Sequence, residues 1–356
     1  MTTIYLIRHA EAEGNLYRRA HGQYDSLITE NGYRQIRALA KRFAEIEIDI
    51  VWSSDLFRTM TTARAILESH GKNLNTHQGL REVNMGAWED KSWGQLQEES
   101  PEKLGLFSAS SEHWQVDHGE TFEKLTERVS KTITDLAKQH QGKTMAIFCH
   151  GLAIRQFMSH VKKHSPAEWG THPHGDNTSV NKLLWDGKEF TVEYAGDNSH
   201  LSDEISTFAR QTWWKKDSGG ISQDRNLWFE PMTQGEKDYQ AAILEIWGAE
   251  PPAINQGRTV YLAKHQKDLV GWVAISDEGE VILLHLKENY RGERLGLQLL
   301  GQAVSHGRSK GLDALTIHCP PGGNLGFFEK YGFNEKKDYF EKYIGYQPRS
   351  NIFGEE

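Results

Sequence analysis

Five residues of this sequence carry the functional groups that are needed to transfer a phosphoryl group. The two arginines and two histidines among them belong to polar clusters that follow short apolar runs: Arg8, His9, Arg58 and His150. A neutral imidazole can attack phosphorus and form a covalent intermediate, and guanidinium groups bind phosphate oxygens in pairs. The leaving alcohol also needs a proton, for which Glu82 is the candidate acid. These residue types therefore predict a phosphate pocket with a nucleophilic histidine.

Three apolar runs would have to bring these side chains together. The runs are Thr3–Ile7, Ile48–Ser53 and Thr144–Cys149, and each is typical of a buried strand. Apolar residues at helical spacing follow Thr29 and Thr121, which are suitable N-caps. Alternating strands and helices predict an α/β fold for the first half of the chain, a three-layer α/β/α sandwich with a mostly parallel sheet. Because such sheets bind ligands beyond the carboxyl ends of their strands, we expect the pocket at that edge.

The segment Ile7–Asn15 resembles the signature of the histidine phosphatase superfamily, the phosphoglycerate mutase-like enzymes. The resemblance continues in the same order and spacing through four later segments: Ser53–Thr59, Leu80–Glu82, Cys149–Gly151 and Asn198–Leu201. It covers residues 1–205 of the chain. The family relationship implies the same α/β sandwich that the alternation of strands and helices predicts.

The resemblance also implies roles for individual residues. His9 would accept the phosphoryl group, while Glu82 would first donate a proton and then activate water. The remaining members would bind the phosphoryl group or line its pocket: Arg8, Asn15, Arg58 and His150. The sequence departs from the family at Ala10 and Leu27, where glycine and proline are usual. Neither departure removes a reacting group, so the chemistry is expected to be retained.

The segment between Glu82 and His150 bears on the choice between hydrolysis and isomerisation. Mutases that resemble this sequence usually carry a longer segment there, with extra arginines for a carboxylated substrate. Here the two residues are 68 positions apart, and the segment is rich in Trp, Glu and Ser. We therefore expect a phosphomonoesterase for a small-molecule phosphate ester, with a phosphoglycerate-type mutase as the alternative.

A polar, glycine-rich stretch at 211–224 is predicted to be a linker between domains at 1–210 and 225–356. We expect the fragment 1–210 to fold and to hydrolyse phosphate esters by itself. In the second half, the pattern predicts strands at Leu227–Phe229, Thr259–Ala263, Asp268–Ser276, Glu280–Leu286 and Ala314–His318, and helices at Tyr239–Trp247 and Leu295–Ser309.

A basic turn that contains glycine precedes the helix at Leu295–Ser309, and free N–H groups at a helix start bind pyrophosphate. Together with Gly311–Ile317 and Phe327–Phe333, this turn resembles the acetyl-CoA-binding region of GNAT-type N-acetyltransferases over residues 225–345. The resemblance implies a GNAT-like mixed α/β domain. It also implies an acetyl-CoA site at six residues: Leu284, Leu286, Arg291, Gly292, Arg294 and Gly296.

Three departures from the acetyltransferase pattern concern catalysis more than binding. Arg294 occupies the first motif glycine, and Phe328 stands where the family's usual general-acid tyrosine would be. The segment Pro320–Gly323 fills the region where an asparagine normally starts the last helix. Binding of acetyl-CoA is therefore better supported than acetyl transfer. Two functions stay open, a bifunctional phosphatase and acetyltransferase, and a phosphatase whose second domain only senses acetyl-CoA.

Composition narrows the partners and the compartment. The 356 residues carry a net charge of −8, which argues against nucleic-acid binding. Cys149 and Cys319 fall in different halves, so a reducing compartment is expected. The chain shows no secretory signal and no apolar run near the ~20 residues that span a bilayer, which favours a cytoplasmic protein without membrane contact. A homodimer is compatible with the sequence.

No metal is predicted. Two histidine pairs have spacing that a metal would permit, but no Cys or carboxylate cluster accompanies them: His160 with His164, and His172 with His174.

Overall fold

A computed structural model describes residues 1–211, 225–232, 257–318 and 325–347 of the chain. Three predictions lie outside these residues: the linker from 212 onward, the helix at Tyr239–Trp247 and the segment Pro320–Gly323. No helix within the described ranges is both long and apolar enough to cross a membrane.

The first half is built on a six-stranded sheet in the order β3-β2-β4-β1-β5-β6. Its strands are β1 (Thr2–Arg8), β2 (Ile50–Ser53), β3 (Leu74–Thr76), β4 (Thr144–Cys149), β5 (Val180–Trp185) and β6 (Phe190–Asp197). The first four strands pair in parallel, whereas β5 and β6 form an antiparallel hairpin at one side. The prediction of a mostly parallel sheet is confirmed.

Helices cover both faces of this sheet. They are α1 (Glu13–Tyr17), α2 (Glu30–Phe43), α3 (Phe57–His70), α4 (Trp93–Glu99), α5 (Pro101–Ser108), α6 (Phe122–Gln139), α7 (Gly151–Val161) and α8 (Thr207–Arg210). Thr29 and Thr121 accept backbone N–H groups and begin α2 and α6, as predicted. In β1, Ile4 and Leu6 join a core with α6 and α7, while Tyr5 and Ile7 join one with α2 and α3. This alternation of buried side chains produces three layers.

The second half contains two antiparallel sheets, in the orders β10-β9-β8-β7 and β11-β13-β12. The strands are β7 (Trp228–Pro231), β8 (Arg258–His265), β9 (Asp268–Ser276), β10 (Val281–Leu286), β11 (Ala314–Ile317), β12 (Asn334–Glu335) and β13 (Phe340–Tyr343). The helices are α9 (Leu295–Ser309) and α10 (Leu325–Lys330). A parallel bridge from Glu280 to Thr316 joins the two sheets.

The two halves are in contact through α1 and α9. Leu16 and Tyr17 of α1 are buried in the same apolar cluster as Leu300 and Val304 of α9. Gly301 permits this approach, since a Cβ there would lie only 2.4 Å from the Cβ of Tyr17. The first half therefore places two apolar side chains in the core of the second.

Candidate active site

His9 follows β1, and its ring is almost completely buried. Its Nδ1 lies 2.7 Å from the carbonyl oxygen of Ala10. Because a carbonyl can only accept, Nδ1 carries the proton and Nε2 keeps its lone pair. The backbone N–H of Ala10 donates to Thr62 Oγ1 at 2.9 Å, and that hydroxyl donates to the carbonyl of Arg58 at 2.7 Å. The nucleophile segment is thus tied to α3.

Arg8 and Arg58 are buried beside His9 and are anchored through part of each guanidinium. Arg8 donates through Nη1 to the carbonyl of Gly175 at 2.7 Å. Arg58 donates through Nη1 to Tyr24 at 3.1 Å and through Nη2 to Gly22 at 2.6 Å, both backbone carbonyls. The Nε atoms of both arginines have no hydrogen-bond partner among the described residues. Two buried charges with unused donors suit a phosphoryl group.

His150 follows β4 and directly precedes α7, with its ring centroid 5.4 Å from that of His9. Neither of its ring nitrogens has a hydrogen-bond partner within the part of the chain that the structure describes. A buried polar group of this kind usually marks a ligand position. The structure therefore brings the ring of His150 next to that of His9 in the buried pocket.

Glu82 is buried against the first turn of α7. Its Oε1 accepts from the N–H groups of Val83 at 3.0 Å and Ala153 at 2.9 Å, and its Oε2 accepts from Leu152 at 2.9 Å. The same helix start therefore carries His150 and orients the predicted acid. Backbone N–H groups thus fix both oxygens of the carboxyl group.

Burial shifts the pKa values of these groups in directions that suit phosphoryl transfer. Burial, and then the charges of Arg58 and Arg8, hold the pKa of His9 well below its usual value of 6.5. Burial also raises the pKa of Glu82 above its usual value of 4.5, against the opposing N–H bonds. Burial thus shifts both groups toward their neutral forms.

Asn15 is connected to the nucleophile His9 through one intervening residue, Asn177. Its Oδ1 accepts from the N–H of Ala12 at 3.1 Å and from Nδ2 of Asn177 at 3.5 Å. Asn177 in turn donates to the carbonyl of His9 at 2.9 Å. Asn15 therefore supports the backbone of the nucleophile through Asn177.

His21 is a member of the site that the sequence reasoning missed. Its ring centroid lies 5.8 Å from that of His9, and its Nδ1 lies 3.3 Å from Ser26 Oγ. Burial, followed by the charges of Arg58 and Arg8, holds the pKa of His21 well below 6.5. His21 lies in a polar loop without periodicity. No local signal separates it from a solvated histidine.

The predicted cofactor residues of the second half surround the turn between β10 and α9. Leu284 and Leu286 lie on β10, and Arg291 Nε donates to the carbonyl of Leu286 at 2.9 Å. Gly292 has a φ of 84° and Arg294 a φ of 64°, so both adopt the left-handed conformation that favours glycine. Arg294 therefore keeps the backbone shape that a glycine would give.

The side chain of Arg294 is directed toward the first half. Its Nη1 donates to the carbonyl of Arg210 at 3.4 Å. Gly296 lies in the first turn of α9, where a Cβ would meet the ring of Phe327 at 3.4 Å. The N–H of Leu297 in this first turn donates to the carbonyl of Arg294 at 3.1 Å, whereas those of Leu295 and Gly296 precede the intrahelical bonds and have no such acceptor, which is the basis for anion binding. No group of three or more potential metal ligands occurs among the residues described.

Comparison with known proteins supports both predicted resemblances. Residues 4–198 match the family model of the histidine phosphatase superfamily (branch 1), and residues 239–344 match that of the acetyltransferase (GNAT) domain. The chain is 31% identical over 206 residues to the probable phosphoglycerate mutase GpmB of Enterobacter sp. (strain 638), covering 56% of this chain and 95% of that protein. A relative of the same name from Escherichia coli O1:K1 / APEC is 32% identical over 206 residues, with the same 56% and 95% covered.

Solved structures show the same fold for the first half. YhfR of Bacillus stearothermophilus has a TM-score of 0.55 and 28% identity, and the match covers 57% of this chain and 100% of that chain. A phosphoserine phosphatase of Entamoeba histolytica has a TM-score of 0.51 and 24% identity, covering 57% of this chain and 100% of that chain. The sequence match and the fold agree. The chain belongs to the histidine phosphatase superfamily and carries a GNAT acetyltransferase domain in its second half.

Proposed function

We propose that the first half is a phosphomonoesterase for a small phosphorylated metabolite and that it works through a phosphohistidine on His9. One observation carries this proposal. The buried Nε2 lone pair of His9 lies in a pocket where Arg8, Arg58 and His150 all have ring or guanidinium nitrogens without a partner in the described chain. A phosphoryl group would supply acceptors to those donors and would place phosphorus next to the nucleophile.

The reaction follows from the protonation states that the pocket favours. Nε2 of His9 attacks phosphorus, the P–N bond forms, and the P–O bond to the leaving group breaks. Glu82 gives its proton to the departing oxygen. Water then attacks the phosphohistidine, Glu82 takes a proton from that water, and the P–N bond breaks. Inorganic phosphate leaves, with His9 neutral and Glu82 protonated again.

A mutase is the second candidate, because the relatives in the sequence comparison are named probable phosphoglycerate mutases. A mutase would pass the phosphoryl group of His9 to another hydroxyl group rather than to water. The short segment between Glu82 and His150 favours hydrolysis. Measuring activity with and without a bisphosphate primer separates the two, because only a mutase depends on the primer.

Trapping the intermediate tests the mechanism. Acid-labile, base-stable phosphate on His9 is expected when the full-length protein is quenched during turnover of a phosphate ester, with the site located by peptide mapping. His9→Ala should abolish both the label and the activity, because it removes the nucleophile. His113→Ala, at an exposed histidine outside the pocket, is the matched control. A label on another residue would overturn the mechanism.

For the second half we infer that the turn before α9 binds the pyrophosphate of acetyl-CoA. The left-handed Gly292 and Arg294 shape the turn, and the N–H groups of Leu295 and Gly296 at the start of α9 would donate to the phosphate oxygens. When bound, acetyl-CoA supplies an acetyl thioester. Phe328, which packs its ring at 5.3 Å from Phe333, has no proton to give to a departing thiolate. Binding with slow or absent transfer is expected.

Calorimetry on the full-length protein tests this binding. We expect a Kd in the micromolar range (~10⁻⁶ M), which specific cofactor pockets commonly reach. Gly296→Glu should abolish binding because it adds a repelling carboxylate, whereas Gly296→Ala meets Phe327 at an ordinary contact distance and should retain it. No heat from wild type would refute the site. Titrating the phosphatase activity with acetyl-CoA separates a sensing domain from an independent acetyltransferase.

A further inference from the structure

The loop at 19–27 determines where Arg58 lies. The backbone carbonyls of Gly22 and Tyr24 accept hydrogen bonds from the two terminal nitrogens of the Arg58 guanidinium. Asp25 accepts the N–H of Phe57 with both carboxylate oxygens, at 2.9 and 3.0 Å, and so caps the helix that carries Arg58. The same loop carries His21 into the pocket. A displacement of this loop would therefore move the phosphate clamp.

Helix α9 of the second half holds one end of the loop through a buried ion pair. Nη2 of Arg308 lies 2.7 Å from Oε2 of Glu13, and the two side chains are only 10% and 5% exposed. The same Oε2 accepts the N–H of Leu27 at 3.1 Å, and the N–H of Glu13 donates to the carbonyl of Leu27 at 2.9 Å. Arg308 is fixed from its own side by the carbonyl of Ile344 at 3.0 Å.

The segment after β13 holds the middle of the loop. The hydroxyl of Tyr346 donates to the carbonyl of Asp25 at 2.7 Å, and its ring lies 6.1 Å from that of Phe57. The guanidinium carbon of Arg308 lies over the ring of Tyr346, 4.8 Å from its centroid. Tyr346 of the second half thus contacts both structures that position Arg58, the loop and the start of α3, and Arg308 packs on Tyr346 and reaches the loop through Glu13.

A third contact holds the beginning of the loop. Arg19 donates to Gln302 Oε1 and to Ser305 Oγ, each at 3.0 Å, and Ser305 donates to Asp90 at 2.6 Å. The gap that remains between His21, Ser305 and Arg308 is about 10 Å³, room for about one water molecule. Bulk water therefore does not separate the loop from α9.

We propose that Arg308 and Tyr346 of the GNAT domain are positioning residues of the phosphatase site and act through Glu13 and Asp25 on Arg58. The proposal rests on the phosphatase function proposed above. It makes the second half a structural part of the first active site, whatever acetyl chemistry the GNAT domain performs. Neither residue reaches the substrate.

Steady-state kinetics of full-length variants test the proposal. Arg308→Met should lower kcat/KM by about tenfold or more, since misplacing a positioned group by about 1 Å can cost ~100-fold. Inhibition by orthovanadate, which needs the same clamp, should weaken by a similar factor. Arg308→Lys keeps the charge opposite Glu13 and should recover most of both values. Lys310→Gln, at the residue that follows α9, removes an exposed ion pair with Asp277 and should leave both unchanged.

A background variant distinguishes positioning from a general loss of structure. Once Arg58→Lys has removed the clamp, adding Arg308→Met should change kcat/KM by less than about twofold, because the two residues act in one chain of contacts. If the double variant instead loses kcat/KM by the product of the two single-variant losses, the proposal is refuted. Tyr346→Phe removes only the hydroxyl donor to Asp25, so it supplies the same test if Arg308→Met does not fold. Its expected loss is about threefold in kcat/KM and in vanadate inhibition.

The outcomes also separate this proposal from the function on which it rests. If the wild-type protein has no phosphatase activity, or if the trapped phosphate is found on a residue other than His9, the proposed function fails. If wild type turns over through His9, but Arg308→Met and Tyr346→Phe keep the wild-type kcat/KM and vanadate inhibition, the positioning role fails alone. A lower melting temperature with unchanged kinetics also overturns it, since it would show that the ion pair serves only stability.

Discussion

At the scale of single residues, burial prepares His9 and Glu82 for opposite tasks. Removing water disfavours the charged form of each group, so the same effect lowers the pKa of the imidazole and raises that of the carboxyl group. The arginines add to the first shift and oppose the second. One pocket therefore shifts the nucleophile and the candidate acid toward their neutral forms.

Replacing Glu82 tests its role as the proton donor. Glu82→Gln keeps the size of the side chain and removes the transferable proton. Turnover of an alkyl phosphate should fall by ~10²–10⁴-fold, whereas p-nitrophenyl phosphate should lose much less in the phosphorylation step, because its leaving group needs little protonation. Pre-steady-state bursts with both substrates measure this step. Equal losses for the two substrates would show that Glu82 is not the first-step acid.

The buried histidine at position 21 should make folding stability sensitive to pH. Its folded pKa lies below the 6.5 of the exposed side chain, so the unfolded chain binds more protons once the pH falls below 6.5. The contribution of His21 to the free energy of unfolding is therefore present above pH 6.5 and is lost as the pH falls below that value. His21→Gln should therefore shrink the stability difference between pH 7.5 and 5.5 by about 1 kcal/mol, measured by urea unfolding. An unchanged difference, equal to that of His113→Gln, would contradict this.

At the scale of elements, the turn from β10 into α9 keeps the backbone shape that a glycine would give despite the arginine at position 294. Arg294 adopts the left-handed conformation in the place of the first motif glycine, and its side chain contacts Arg210 instead of the turn. The helix start remains available for an anion, while the guanidinium serves the contact between the two halves. The departure noted in the sequence therefore changes the use of the side chain and preserves the backbone.

Substitutions at two glycines with equally open surroundings distinguish the effect of backbone conformation on stability from the effect of side-chain packing. Nothing lies within 4 Å of a Cβ built on Gly292 or on Gly105, but only Gly292 has a positive φ of 84°. Gly292→Ala should cost about 1 kcal/mol and weaken acetyl-CoA binding. Gly105→Ala, inside α5, should stabilise by about 0.5–1 kcal/mol. Chemical denaturation measures both, and the prediction is wrong if the two substitutions have the same sign.

At the scale of the whole molecule, contacts of the loop at 19–27 and of α1 extend into the second half. The buried pair of Arg308 and Glu13 joins residues 295 positions apart, and Tyr346 reaches Asp25 across 321 positions. Removing one partner of such a pair leaves a buried charge, which typically costs about 3–5 kcal/mol. These contacts argue against the expectation that 1–210 works by itself, because Leu16 and Tyr17 would also lose their cover.

Gly301 tests whether the halves unfold together. A Cβ there would meet Tyr17 at 2.4 Å, so Gly301→Ala should destabilise by about 1–3 kcal/mol, although alanine normally improves a helix. Calorimetry should show one transition for wild type, shifted to lower temperature in the variant. Gly105→Ala is the matched control and should shift the transition upward. Two separate wild-type transitions, with only the second moved by Gly301→Ala, would show independent domains.

The sequence by itself determined the features that depend on neighbours along the chain. Short apolar runs and caps such as Thr29 and Thr121 depend on local geometry, and strands and helices form where they predict. That His9, Glu82 and His150 lie together could be predicted as well, because each is marked by its chemical type and by its place after a strand or in a family motif. Parallel strands then gather such residues at one edge.

Only the tertiary structure decided how the pocket is completed. His21 lies in an aperiodic loop, and its place beside His9 follows from the packing of that loop against Gly14 and α3. Arg308 appears in the sequence as an ordinary basic residue at the end of a helix. Its pairing with Glu13 exists because α1 and α9 pack closely at Gly301, and a contact between distant segments leaves no local pattern to read.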